Sequence, residues 1–423
     1  MHGGPGSAGP RWLGPALVAA AVDTVGVLPV FLTGALAVQL REHLGLRVDS
    51  LGVVYASYFV AAASLSAPMG RWAERVGPEL ALRAGTLLYV AALLGAAGLT
   101  SSQLHLLGFV LLSGLGTSIT RNATSVLVAR SVRPDRQGLA FAIKHCSIPV
   151  GSLLAGLSVP ALALPLGWRW AYGAAALMSF LVLWSVPRSQ ARPRPQPVGG
   201  EADLPFRVLV VAAVSFALGS SAAASLGAYT VSTAVAAGMD EGTAGVLVAV
   251  GSVVGLASRL LVGHWSDRRP GSQLDLVSWM LAVGGLGFLL LGWAREPLLW
   301  VAVPLAFATG WAWLGSYNLA MVRLNPVAPG AAVGVTQTGA FVGAIAGPAT
   351  LGFLAHRYSF AVSWGAAAAM SLLAAAIITA LRWVALREGR GPRASRTTSR
   401  VERERGDDDE SAAGTVPGQA GTG

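Results

Sequence analysis

Three charged side chains lie inside runs of apolar and small residues. Asp23 sits in "AAAVDTVGVLPV", Arg121 in "GTSITRNATSV" and Lys144 in "GLAFAIKHCSIPVGSLLAGL". Lys144 is the only lysine of the chain; the remaining strong bases are arginines. A charge at the centre of a bilayer costs about 2.5–3.5 kcal/mol on insertion scales, so it normally faces a cavity or a partner. Such residues can hold a charged solute or carry a proton. Two readings of Lys144 stand side by side: it borders a cavity, or its long stem snorkels to the headgroups. Preference for arginine throughout the chain would also leave a single lysine by accident. The run "GWAWLGSYNLAMVRLNP" adds Trp311, Trp313, Tyr317 and Asn318, which form either a cavity wall or an interfacial belt. Asn318 and Gln337 are uncharged hydrogen-bonding candidates.

The elements that must position these residues follow from composition. The 423 residues are 54% hydrophobic and 12% charged, with mean hydropathy +0.60. A soluble domain carries about a quarter charged residues, so lipid is the solvent for most of this chain. With about 20 apolar residues needed per crossing, twelve helices are expected. Six lie near 12–39, 50–69, 79–99, 104–130, 137–165 and 168–187. Six more lie near 205–237, 242–263, 274–294, 297–323, 330–355 and 359–386. The Pro- and Arg-rich stretch 188–204 reads as a linker, and 387–423 as a disordered tail. The N-terminal apolar run reads as a retained helix rather than a signal peptide.

The net charge of +10 does not mark a nucleic-acid surface, because the arginines lie in short loops and the tail. With both ends in the cytoplasm, the inner loops hold Arg71, Arg75, Arg130, Arg133, Arg136, Arg188, Arg192, Arg194, Arg268 and Arg269. The outer loops hold only Arg41, Arg47, Arg169, Arg295 and Arg357. This is the positive-inside pattern. Cys146 is the single cysteine, so an internal disulfide and a Cys-based metal cluster are excluded. The scattered histidines show no metal-ligand spacing and no phosphate-binding Gly-rich loop is present, which argues against an enzyme and calls for no cofactor.

The chain also repeats. "GRWAERVG" at 70–77 returns as "GHWSDRRP" at 263–270, an offset of 193 residues. The same offset pairs Gly52 with Gly245, Arg130 with Arg323 and Lys144 with Gln337. One register through several helices argues for two duplicated six-helix bundles, over 11–187 and 205–386. These two loops resemble the signature loop of the major facilitator superfamily: Gly, three residues, an acid, then a base. The resemblance covers about 11–386. It implies an all-α membrane protein of two pseudo-symmetric bundles around a central cavity, rocking to expose the cavity to either side. The loops would then be a cytoplasmic latch. Gly70 and Gly263 allow close approach, Glu74 and Asp267 face helix N-termini, and Arg75 and Arg268 pair with acids in the latch. The plainer alternative makes them positive-inside charges on short connectors. Both loops lack the extra bases that the family often places after the acid–base pair.

In the family resembled, helices one and four line the cavity and helix five borders it. That places Asp23, Arg121 and Lys144 around the cavity, with Asp23 balancing one base or coupling transport to protons. One positive charge is left over for an anionic solute. Arg259 lies nearer the inner surface, as a gate or interfacial anchor. His145 is read as packing or as facing the neighbouring bundle, and Cys146 as a small apolar residue. "FAIKHCSIPVGSLLAGLSVPALALPLGWRW" is similar to the cyanate-permease-like branch, and the Gly-Pro-Gly-Gly motif of drug–proton antiporters is missing from it. The resemblance thus implies a multi-pass, monomeric secondary transporter of the cytoplasmic membrane. It would move a small organic or inorganic anion through Lys144, Arg121, Asn318, Gln337, Tyr317 and Trp311. The alternatives are a proton-driven exporter of a drug or metabolite and a non-transporting membrane sensor.

Overall fold

The computed structural model describes residues 12–45, 48–187, 203–268, 273–293 and 295–387; the expected tail and nearly all of the linker lie outside them. The described residues form helices joined by short turns. The first six crossing elements are α1 (Leu13–Ala35), α2 (Val48–Val76), α3 (Pro78–Gly98), α4 (Gln103–Ser131), α5 (Pro134–Leu166) and α6 (Trp168–Ser185). The second six are α7 (Phe206–Ala236), α8 (Glu241–Arg268), α9 (Gln273–Trp293), α10 (Glu296–Leu324), α11 (Pro329–Arg357) and α12 (Phe360–Arg387). Eleven of them are long and apolar enough to cross a bilayer by length and composition alone. The twelfth, α6, has only 18 residues and begins Trp-Arg-Trp. It nevertheless packs along α3 and α1 and completes the first bundle.

Local chemistry sets several of the boundaries. Gly77 (φ 92°) and Gly167 (φ 97°) make the tight turns before α3 and α6, a conformation that a Cβ would strain. The first span is shorter than expected, because the chain breaks at Leu36 and a separate helix runs Ala37–Leu44. The rod α5 is interrupted at Cys146. Pro149 has no N–H to donate to the carbonyl of His145, so the helix cannot continue regularly there. Further along, wider turns at Val159–Ala163 in α5 and Ala306–Trp311 in α10 follow the same logic near Pro160 and Pro304.

Each half buries its own apolar core. Leu28, Tyr89, Leu93, Trp168 and Tyr172 fill the first; Leu226, Phe288, Val303 and Trp364 fill the second. A further cluster crosses between the halves and joins Phe141 on α5 to Trp313, Tyr317 and Met321 on α10. The outer surface is apolar, with Leu104, Leu153, Trp184, Trp293 and Phe353 exposed, Trp293 to 82%. So much bare apolar surface is tolerable only in lipid.

Candidate functional site

The three membrane-embedded charges that the sequence singles out do converge. Asp23 on α1 is 3% exposed, Lys144 on α5 is 0% and Arg121 on α4 is 8%. Lys144 Nζ lies 3.8 Å from Asp23 Oδ2 and donates to Ser125 Oγ at 2.5 Å and to the Arg121 carbonyl at 3.2 Å. Thr124 Oγ1 donates to Asp23 Oδ1 at 3.2 Å. Snorkelling of Lys144 is therefore overturned, since its ammonium is fully enclosed by α1 and α4. Thr124 and Ser125 were not anticipated as site residues. Their signal was their spacing, three and four residues after Arg121, which places them on its face of the helix.

Arg121 differs from Lys144. Among the described residues its guanidinium has no hydrogen bond or ion pair. Its charge acts on Asp23, Tyr58 and His145. A hydroxyl network holds this face of the bundle. Tyr58 donates to the Gly26 carbonyl at 2.8 Å and meets Thr117, while Tyr89 meets Thr117 and Thr120. Gly26 is needed there, because a Cβ would fall on the Tyr89 hydroxyl. Buried polar groups that satisfy one another in this way fix the helices around the charges.

Arg259 on α8 is 6% exposed and lies over the Trp311 ring at 5.3 Å, so it is no interfacial anchor. Its guanidinium also reaches the Trp311 carbonyl at 3.4 Å. Together with His145, Ala142, Gly315 and Ser316 it lines a narrow crevice between α5, α8 and α10. His145 faces the other bundle, one of the two expected readings. Its Nε2 is 2.8 Å from Asn318 Nδ2 on α10, while His145 Nδ1 and Asn318 Oδ1 are buried without a partner among the described residues. Among the described residues the centre thus holds three cations, Arg121, Lys144 and Arg259, against one carboxylate, Asp23. Sequence reading counted only two of those bases.

Two expected ligands are placed elsewhere. Tyr317 is a core residue: its hydroxyl donates to the Ala212 carbonyl at 2.6 Å and its ring packs on Phe216 at 4.4 Å. Gln337 is buried on α11 but, among the described residues, no hydrogen bond joins it to the Asp23–Lys144 group. The repeat relates Gln337 to Lys144 by symmetry without bringing them together. Trp311 and Asn318 do not line the crevice themselves but contact two residues that do, Arg259 and His145.

The two repeated loops make matching contacts across the halves. Glu74 on α2 accepts from Gly330 N at 2.6 Å, at the first turn of α11. Asp267 on α8 accepts from Gly138 N at 2.6 Å and Leu139 N at 2.9 Å, at the first turn of the regular helix in α5. Each acid thus neutralises orphan N–H groups and the positive end of a helix dipole in the opposite half. Glycines make this possible. A Cβ at Gly70 would strike the Gly330 carbonyl, and one at Gly263 would strike Ala142 and the Gly138 carbonyl. The expected bases are corrected. Arg75 and Arg268 are exposed and form no ion pair among the described residues. The cations that act on the acids are Arg130 on Glu74, and Arg323 and Arg136 on Asp267. Arg130 and Arg323 are themselves partners in the 193-residue repeat, and Arg323 also crosses to the Pro134 carbonyl at 2.8 Å. At the second half's start, Asp203 accepts from Val327 N and Ala328 N, and Leu204 N donates to Asn325, so the last two residues of the expected linker belong to the second half.

Two helical halves, a charged centre and paired acid–dipole contacts on one face define a membrane transporter rather than an enzyme. The family model of the Major Facilitator Superfamily matches residues 16–326 and 209–407, and the chain belongs to that family. It is 28% identical over 340 residues to an "MFS-type efflux pump" of Mycolicibacterium smegmatis, covering 75% of this chain and 78% of that one. Among solved structures, the human organic anion transporter MFSD10 (TETRAN) superposes with TM-score 0.70 at 16% identity, over 88% of this chain and 100% of that one. FucP in the outward conformation superposes with TM-score 0.68 at 13% identity, over 88% and 99%. These two likenesses carry the fold. The protein is a multi-pass integral membrane protein and a transporter of small molecules.

Proposed function

We propose that this transporter moves a small organic or inorganic anion by alternating access. The observation that carries this reading is the excess of buried positive charge: among the described residues Arg121, Lys144 and Arg259 stand against Asp23, and the Arg121 guanidinium makes no hydrogen bond or ion pair. An unpaired buried cation is costly, and an anionic substrate offsets that cost where it binds. The similarity of the α5 segment to the cyanate-permease-like branch agrees with a small anionic solute. The acid–dipole latches close the face that carries the 70–77 and 263–268 loops. By the arginine asymmetry that face is cytoplasmic, with both termini inside the cell membrane, so the conformation is closed to the cytoplasm. A single-bundle pair suffices for this cycle, so the working unit is a monomer.

The test is flux into proteoliposomes, comparing acetate, oxalate and nitrate with an amphiphilic cation such as ethidium. Removing a charge-assisted contact by Arg121→Gln or Arg259→Gln costs about 2 kcal/mol, or roughly 30-fold in apparent affinity for the anion. The relative named as an efflux pump favours a second reading, a proton-driven exporter. Transport of ethidium alone, unaltered in both variants, would establish that reading and sink the anion one.

A further inference from the structure

His145 is the ionisable group best placed to sense which way the protein faces. It stands on α5 beside Lys144, with its ring turned away from the Asp23 pair and toward the second half. There it meets Asn318 of α10 and shares the crevice lining with Arg259 of α8. The elements packed against α5 present few charges to it. From α4 comes Arg121, from α8 Arg259 and from α5 itself Lys144. From α1 comes Asp23, already held by Lys144 and Thr124. The α10 neighbour is the uncharged Asn318, and Cys146 follows on α5. The ring uses one nitrogen across the halves while, among the described residues, Nδ1 stays buried and unpartnered, as does Asn318 Oδ1. A buried polar pair left half-satisfied is a weak point in the closed interface.

We propose that His145, rather than Asp23, is the proton-binding site that couples protonation to opening of the cytoplasmic face. The inference rests on the alternating-access reading. A proton on His145 would put a positive charge opposite Arg259 across the crevice, with Asp23, the nearby carboxylate among the described residues, already paired. Opposed like charges in a low-dielectric seam push the two halves apart. Once they part, water solvates both cations and the cost is relieved. Acid therefore favours the open state, and base favours the closed one seen here, as any ligand shifts a conformational equilibrium toward the state that accepts it better. An anion lodged between Arg121 and Arg259 would screen the same repulsion, which would link proton and anion movement in one cycle.

Spin labels at Arg71 on α2 and Val327 in the α10–α11 turn, both exposed and on opposite halves, read the separation of the cytoplasmic face. The labels go into a Cys146→Ser background, where serine can still donate to the Ala142 carbonyl as Cys146 does at 3.3 Å. The distance distribution is recorded from pH 8 to pH 5, with no substrate added. A shift to longer distances in acid, absent from His145→Gln, is the expected result; the glutamine amide can still meet Asn318 but cannot titrate. Should His145→Gln fail to purify folded, Asn318→Asp takes its place. Its carboxylate would bind the imidazolium across the crevice and keep the labels close even in acid. A shift that survives in these variants, or a parent distance that ignores pH, overturns the role of His145. A Glu74→Gln, Asp267→Asn double variant is the control for the underlying reading. Movement in it without a pH response in the parent defeats only the histidine, whereas immobility in it defeats alternating access and this inference together.

Discussion

Replacing Asp267 by asparagine removes one charge and leaves the shape of the latch nearly intact. In the closed state Asp267 accepts two backbone N–H groups, at 2.6 and 2.9 Å, at the start of a helix in the opposite half. Hydrogen bonds to a charged acceptor contribute about 1.5–3 kcal/mol each. The amide oxygen of asparagine retains one neutral bond, worth about 1 kcal/mol. The interaction with the helix dipole, about 0.3–1 kcal/mol, is lost as well. These terms sum to about 2.3–6 kcal/mol; because Asp267 is only half-buried, solvent screening brings the net loss to the low end, near 2 kcal/mol, which shifts the closed-to-open ratio by about 30-fold. Hydrogen exchange of purified protein reads this directly, because the Gly138 and Leu139 amides are the bonded donors. Their peptide should exchange about 30-fold faster in Asp267→Asn, provided opening precedes exchange. The informative peptide is the remote one. Gly330 donates to Glu74, in the other latch, whereas Asp267 accepts from Gly138 and Leu139. If the halves rock as rigid bodies, Gly330 should also exchange faster in Asp267→Asn, and Gly138 in Glu74→Gln. Acceleration confined to the mutated latch would refute the single rocking motion, and no acceleration in either would refute the latch itself.

Lys144→Gln and Lys144→Arg separate charge from geometry. The ammonium makes point contacts with Asp23, Ser125 and the Arg121 carbonyl, a niche too tight for the planar guanidinium fork. Both variants should lose anion binding by at least tenfold in a titration of detergent-purified protein, and full binding by Lys144→Arg would contradict this. Lys144→Gln should also destabilise the protein by about 3 kcal/mol, seen as a lowered Tm, because Asp23 is left buried without its partner. Topology is tested separately. Single cysteines at Ser189 and Ser411, in a Cys146→Ser background, should resist an impermeant thiol reagent on intact cells, and ready labelling of both would reverse the orientation.

Much of the molecule was legible before any coordinates. A chain with 12% charged residues cannot cover itself against water, so lipid had to be its solvent. The 193-residue offset declared the duplication, because a shared fold keeps shared spacing. It also located the two acids that meet helix ends of the opposite half, since an acid at a fixed distance from a close-packing glycine needs only local geometry to reach a helix end. Identities of latch partners were another matter. Glu74 meets Gly330 and Asp267 meets Gly138, separations of 256 and 129 residues. Which helix end lies opposite each loop is decided by how the halves dock. For the same reason the bases beside those acids proved to be Arg130 and Arg323, on other helices, rather than the sequence neighbours Arg75 and Arg268.

The charged centre divides in the same way. Asp23, Arg121 and Lys144 announce themselves, because each is expensive in an apolar run whatever surrounds it. Whether a given polar side chain faces the crevice or the core depends on the rotation of its helix against neighbours far away in sequence. Tyr317 and Asn318 are adjacent on α10, yet one hydroxyl is consumed by Ala212 of its own half while the other side chain reaches His145 of the opposite half. An apolar helix in lipid has weak amphipathic patterning, so its sequence carries little record of that rotation. Interhelical packing supplies it, which is why the pairing of His145 with Asn318 and the third buried cation, Arg259, emerged only from the tertiary structure.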